Sequence, residues 1–161
     1  MLATIEKVIL LQGVDVFSQV PTEQLAYIAA IAGELSVPAS TVVYRESDPA
    51  DSMFLVIEGA VRIHKDTQEI AVASANHAFG TWALFDEETR LLTATAIEDT
   101  RLLKIEREDF VEILADHVQV SQGILKTLAG RLRTIVDRVH IERPQAGAEG
   151  IKGYHAAKSR F

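Results

Sequence analysis

The sequence predicts an α+β fold, mainly β, with helices at both ends of a sandwich or barrel of short antiparallel strands. Three observations carry this. Apolar residues recur at helical spacing before residue 34 and again after residue 106, and between them short β-branched runs are separated by turn residues. At 161 residues the chain can bury a core as one domain without disulfides or metal. It contains no cysteine, which removes disulfide scaffolds, thiolate metal sites and cysteine nucleophiles, and fits a reducing compartment. A cytoplasmic location is the corresponding expectation. The net charge of −7 argues against wholesale nucleic-acid binding, so an anionic ligand would need a local basic site.

The N-terminal segment MLATIEKVILLQGVDVF has a short apolar run, Val8 to Leu11, preceded by Glu6 and Lys7. Neither a signal peptide nor a bilayer-spanning segment is expected from it. Leu25, Ile28, Ala29 and Ala32 fall on one helical face, with Pro21 and Glu23 suited to the first turn, so a helix is predicted over about 21–33. From Glu34 to Glu106 the runs LSV, TVVYR, MFLVIE, AVRIHK, EIAVASA, LLTATAI and RLLKIE read as strands. Gly59 is placed as a hairpin glycine, and SDPADS, 47–52, as a loop.

Helical period returns in REDFVEILADHV and in QGILKTLAGRLRTIVDRVHIE. Leu125, Leu128, Leu132, Ile135 and Val139 are spaced three, four, three, four, which is the seam of a helix that pairs with another. That stripe is expected to be buried, against the strands or in a homodimer or partner contact. RPQAGAEGIKGYHAAKSRF, 143–161, reads as a flexible tail.

This order resembles the cyclic-nucleotide-binding domain family, as in catabolite activator protein and the protein kinase A regulatory subunit. LLQGVDVFSQVPTEQLAYIAAIAGELSVPASTVVYRESDPADSMFLVIEGAVRIH is similar to the family's opening half, with Phe17, Asp48, Leu55, Gly59 and Val61 in matching places. FGTWALFDEETRLLTATA, 79–96, resembles its phosphate-binding cassette, and the spacing from Phe79 to Arg90 matches without a gap. The resemblance implies an eight-stranded antiparallel, jelly-roll-like β-roll over 34–106, flanked by N-terminal helices within 1–33 and a C-terminal helix pair over 107–142. It also implies a ligand site at Gly80, Thr81, Trp82, Ala83, Arg90, Leu91 and Leu92. A short helix beginning near Trp82 would turn backbone N–H groups toward a phosphate, and Arg90 would grip its oxygens in a fork.

The chain departs from the cassette in three places. In the family, the glutamate after the glycine takes the ribose 2′-hydroxyl; here that position is Thr81. Losing a charge-assisted hydrogen bond of about 1.5 to 3 kcal/mol weakens binding roughly 10- to 150-fold. Small residues after the arginine are replaced by Leu91 and Leu92, so that a leucine would occupy ligand space. Asp86, Glu87 and Glu88 precede Arg90, and a carboxylate about 8 Å from a phosphate costs on the order of 0.5 to 2 kcal/mol. Arg90 is therefore expected to pair with one of these acids, and Trp82 to serve packing. Replacing Thr81 by Glu and Leu91 by Ala together should restore binding.

Other chemistry finds no carrier. His64, His77, His117, His140 and His155 lack metal-ligand spacing, and neither GxSxG, Walker nor GxGxxG motifs occur. Gly147, Gly150 and Gly153 read as linker. No catalytic or metal-binding residue is assigned, and no cofactor is required. The expectation is a non-catalytic regulatory or interaction module over 1–142 with weak or lost binding of cAMP or cGMP; the alternative is a working cAMP, cGMP or small-anion sensor. A DNA-binding module after the last helix would need more than the roughly twenty remaining residues, so no nucleic-acid partner is expected.

Overall fold

The computed structural model describes residues 1–142. They fall into two compact units, Met1–Thr127 and the chain from Leu128 onward. Helix α1, Thr4–Gln12, starts where Glu6 turns back to accept the Ala3 N–H at 2.7 Å, and ends at Gly13. After a 3-10 turn, Asp15–Phe17, helix α2, Thr22–Ile31, buries Leu25, Ile28 and Ala29. Pro21 precedes it, and its carbonyl accepts the Gln24 and Leu25 N–H groups.

Eight strands follow: β1 (Gly33–Val37), β2 (Val42–Tyr44), β3 (Ser52–Glu58), β4 (Ala60–Lys65), β5 (Gln68–Ser74), β6 (Ala78–Phe79), β7 (Thr93–Ala96) and β8 (Thr100–Glu106). They form two four-stranded antiparallel sheets, in the orders β1-β8-β3-β6 and β2-β7-β4-β5. The expected eight-stranded roll is present. Its core is asymmetric: Phe54, Phe79 and Leu102 come from the first sheet, and small Ala73, Ala94 and Ala96 face them from the second. Large against small lets the two inner faces interdigitate.

Strand β3 of the first sheet is buried on both faces. Met53 to Val56 are each at most 4% exposed, because the side chains that turn away from the core meet the helical layer. This is why MFLVI is a continuous apolar run while β7 alternates. Helix α3, Arg107–Asp116, anchors that layer through Phe110, whose ring lies 6.1 Å from Phe17 and 5.8 Å, edge on, from Phe85. Tyr27 of α2 stacks on His117 beyond the end of α3.

Helix α4 runs Val118–Glu142. Within the first unit it buries Val120, Ile124 and Thr127. In the second unit Leu132, Ile135, Val136 and Val139 are all exposed. The predicted seam is thus uncovered in the single chain: Leu125 and Leu132 are each 64% exposed, and Leu128 is half-buried. Residues 143–161, which carry the predicted tail with its glycine series and His155, lie outside the described residues, as does the side chain of His140. Among the described residues, no helix is long and apolar enough to cross a membrane.

Candidate functional site

The site is built where two loops meet. Gly80 stands at the end of β6 with φ +68°, and the left-handed turn it makes starts a 3-10 helix, Thr81–Leu84, that buries Ala83 and Leu84. The predicted short helix is therefore present but only four residues long. The segment 45–51 lies against the far end of the cassette: Arg90 N–H donates to Asp48 O and Ser47 N–H to Arg90 O, both at 2.8 Å, and Pro49 bridges Thr89. Proline and turn-forming acids made that segment a loop, and its backbone groups are satisfied by the cassette.

Arg90 turns inward and is 6% exposed. Its Nη2 donates to Ser52 O at 2.6 Å and to Ser52 Oγ at 3.3 Å, and Nη1 donates to Gly80 O at 3.4 Å. The guanidinium lies over the Tyr44 ring, 4.0 Å from its centre, and Asp51 is the paired carboxylate, at 3.9 Å. Nε is buried with no hydrogen-bond partner. Burial pulls the Arg90 pKa down, while Tyr44, Asp51 and Asp48 act in the opposite direction. Burial likewise raises the Tyr44 hydroxyl, against the pull of Arg90.

This corrects the expectation for Arg90. Asp86, Glu87 and Glu88 are exposed, and Arg90 pairs with none of them. Their segment is instead held through its backbone by Arg107, whose Nη1 donates to Ala50 O, Ala83 O (3.2 Å) and Asp86 O (3.0 Å). Hydrogen bonds to three carbonyls fix the loop and leave the acidic side chains in water, where pairing would gain little. Trp82 also departs from its expected packing role, being 66% exposed.

A cavity of about 640 Å³ opens beside Arg90, within the usual range for small-molecule sites. Of the predicted residues, Gly80, Trp82, Ala83, Arg90, Leu91 and Leu92 line it, and Thr81 does not. Leu91, expected to fill ligand space, is 81% exposed and borders the opening. Tyr44, Ile63 and Phe79 supply the inner wall. Phe79 was named from sequence only as the start of the cassette; Tyr44, Ile63 and the Arg107 clamp were not singled out. The only signal for Tyr44 and Ile63 was strand alternation, which marks an inward side chain but not what it faces. His64 is buried by hydrogen bonds to Asp66 O and Thr95 Oγ1, both 2.8 Å, and lies apart from the cavity lining.

The comparisons with known proteins agree with this geometry. A sequence model described as "Cyclic nucleotide-binding domain" matches residues 34–117. The chain is 26% identical over 129 residues to the CRP-like cAMP-activated global transcriptional regulator of Mycobacterium tuberculosis, covering 77% of this chain and 58% of that protein. It therefore spans little more than half of that relative's length. The crystal structure of the N-terminal domain of a transcriptional regulator from Streptomyces coelicolor superposes with a TM-score of 0.74 at 29% identity, covering 81% of this chain and 94% of that one. The regulatory domain of Toxoplasma gondii PKA, crystallised with cAMP, has the same fold, with a TM-score of 0.63 at 24% identity over 68% of this chain and 44% of that one.

Proposed function

The chain belongs to the cyclic nucleotide-binding domain family, and from that premise we propose that it is a non-catalytic regulatory module that accepts an anion beside Arg90 but holds cAMP and cGMP weakly. One observation carries this reading: Arg90 faces an open cavity and pairs with none of its acidic neighbours Asp86, Glu87 and Glu88, while Thr81, which stands where the family has its ribose-binding glutamate, is absent from the lining. The first half favours a standing anion site. The second removes the contact that distinguishes a ribose from other ligand bodies, at the roughly 10- to 150-fold cost of one charge-assisted hydrogen bond. Gly80, Trp82, Ala83, Leu91 and Leu92 complete the site.

Calorimetric titration of cAMP and cGMP tests it. Dissociation constants in the high-micromolar range are expected, rising at least tenfold in Arg90→Gln, since the anion loses its charged donor. Low-micromolar binding by the unmodified chain would overturn the weak-binding half; millimolar nucleotide with no response and no dependence on Arg90 would overturn the site itself.

The output surface is the α4 stripe. Leu125, Leu132, Ile135 and Val139 are 47% to 64% exposed at helix-pairing spacing, which supports a homodimer through this helix. Light scattering should give twice the chain mass, reverting to one copy in Leu132→Asp. A monomeric unmodified chain would rule out self-pairing.

A further inference from the structure

Resting on that reading of the Arg90 cavity, we infer that its ligand is an oxyanion carried on an apolar, ring-sized body, and not a ribosyl phosphate. Three features of the cavity point the same way. Ile63, Phe79, Leu92 and the Tyr44 ring make most of its wall, so a sugar entering would find few polar partners besides the Tyr44 and Thr89 hydroxyls. Trp82 and Leu91 stand at the opening, 66% and 81% exposed, so a ligand body that covers them removes two large apolar side chains from water. The acids on the lining, Asp86 and Glu88, are exposed. A hydroxyl bonded to them competes with water and gains little.

Arg90 itself explains why the body must supply affinity. Three of its donor contacts are already made, to Ser52 O, Ser52 Oγ and Gly80 O. The unpartnered Nε is closed off from solvent. Of its five N–H groups that leaves one on Nη1, beside the 3.4 Å contact to Gly80 O, as the donor for an incoming oxygen. The anion therefore meets a single donor on a guanidinium already engaged elsewhere, and the head group fixes orientation more than it drives binding. Asp51 at 3.9 Å already balances part of the charge, and Asp86 and Glu88 flank the entrance, which disfavours a second anionic group such as a diphosphate.

The test is a matched pair of probes with the same head group and charge: phenyl phosphate and ribose 5-phosphate, titrated calorimetrically alongside cAMP. Phenyl phosphate should bind about tenfold or more tightly than ribose 5-phosphate, the difference expected from burying a ring in place of hydroxyls. Trp82→Ala with Leu91→Ser should remove most of that difference, weakening phenyl phosphate several-fold more than ribose 5-phosphate. Both positions are exposed, so the fold survives the change. Arg90→Gln, checked by thermal melting, should weaken both probes. Equal or tighter binding of ribose 5-phosphate would overturn the inference, as would equal losses for both probes in the doubly substituted chain. Arg90-dependent binding of cAMP with none of phenyl phosphate would sink this inference and spare the proposed function; Arg90-independent or absent binding of all three would sink both.

Discussion

Arg90 and Arg101 are two arginines of one roll with opposite surroundings. Arg101, on β8, is half-exposed and gripped by two carboxylates, Glu58 at 3.0 Å and Glu34 at 2.9 Å. Those bonds raise its pKa, Glu58 leading. They also join three neighbouring strands, since Glu34 is on β1 and Glu58 on β3. Arg90 is buried, reaches carbonyls, a hydroxyl and a ring, meets a carboxylate only at 3.9 Å, and keeps one nitrogen unpartnered. Burying a guanidinium without a close counter-charge is costly, so the fold gains no stability that a neutral side chain could not provide there. The difference separates a cation spent on ion pairs between strands from one that keeps a donor unpartnered beside a cavity, as the proposed anion site requires.

Each arginine has a positive-φ glycine beside it, and replacing those glycines gives the sharpest contrast. Gly59 follows Glu58 with φ +99°, and a Cβ there would sit 2.7 Å from both Asp99 O and Thr100 Cα. Both obstacles are backbone, on the residues just before Arg101. Gly59→Ala should therefore cost about 3 kcal/mol, combining left-handed strain with a displaced strand end, and lower Tm by about 6 to 12 °C. A loss under 1 kcal/mol would mean that the Arg101 side of the roll yields easily, which its two ion pairs argue against.

Gly80 is the softer case. Its φ of +68° is one that alanine tolerates poorly, and the nearest obstacle, at 2.7 Å, is Nη1 of Arg90, the far end of a flexible side chain. Gly80→Ala should cost about 1 kcal/mol, chiefly backbone strain, because the guanidinium moves aside. Its larger consequence is for the ligand: a displaced Arg90 changes affinity for phosphate probes while the melting temperature shifts little. Stability loss equal to that of Gly59→Ala would show that Arg90 is as fixed as Arg101, and the contrast between them would fail.

How far these surroundings could be read in advance follows from sequence distance. The roll was legible because seven of its strands are runs of β-branched residues at strand spacing. The eighth, Ala78–Phe79, is two residues paired to Phe54 and Leu55, too short to carry a period. The position of Arg90 was legible from its spacing to Phe79. Its partners were not, since Ser52 lies 38 residues away and Tyr44 reaches it from another strand, whereas Asp86 to Glu88 lie beside it in the chain. Adjacency in sequence favoured the wrong anions; the Arg107 clamp, 21 residues on, holds their backbone and leaves their side chains in water. Trp82 was misplaced for a related reason: size suggests burial, yet the left-handed turn at Gly80 starts a helix whose buried face is Ala83 and Leu84.

The smallest effect expected is electrostatic and belongs to the Arg101 side alone. The Glu34 carboxyl is held below its ordinary value of 4.5, first by the Leu2 N–H it accepts at 2.9 Å and then by Arg101, with desolvation opposing. A carboxyl depressed in the folded chain stabilises it at pH values above the ordinary carboxylate range, and that contribution disappears as pH falls through the lower folded value. Melting temperature should therefore decline below about pH 5 less steeply in Glu34→Gln than in the unmodified chain. Arg101→Gln should keep most of the original slope, because the backbone donor, not the guanidinium, is the leading cause. If Arg101→Gln flattens the acid limb as much as Glu34→Gln does, the ion pair dominates after all. If neither changes it, Glu34 is tied down in the folded chain without any linkage to pH, and Arg101 is no more engaged by its carboxylates than Arg90 is by Asp51.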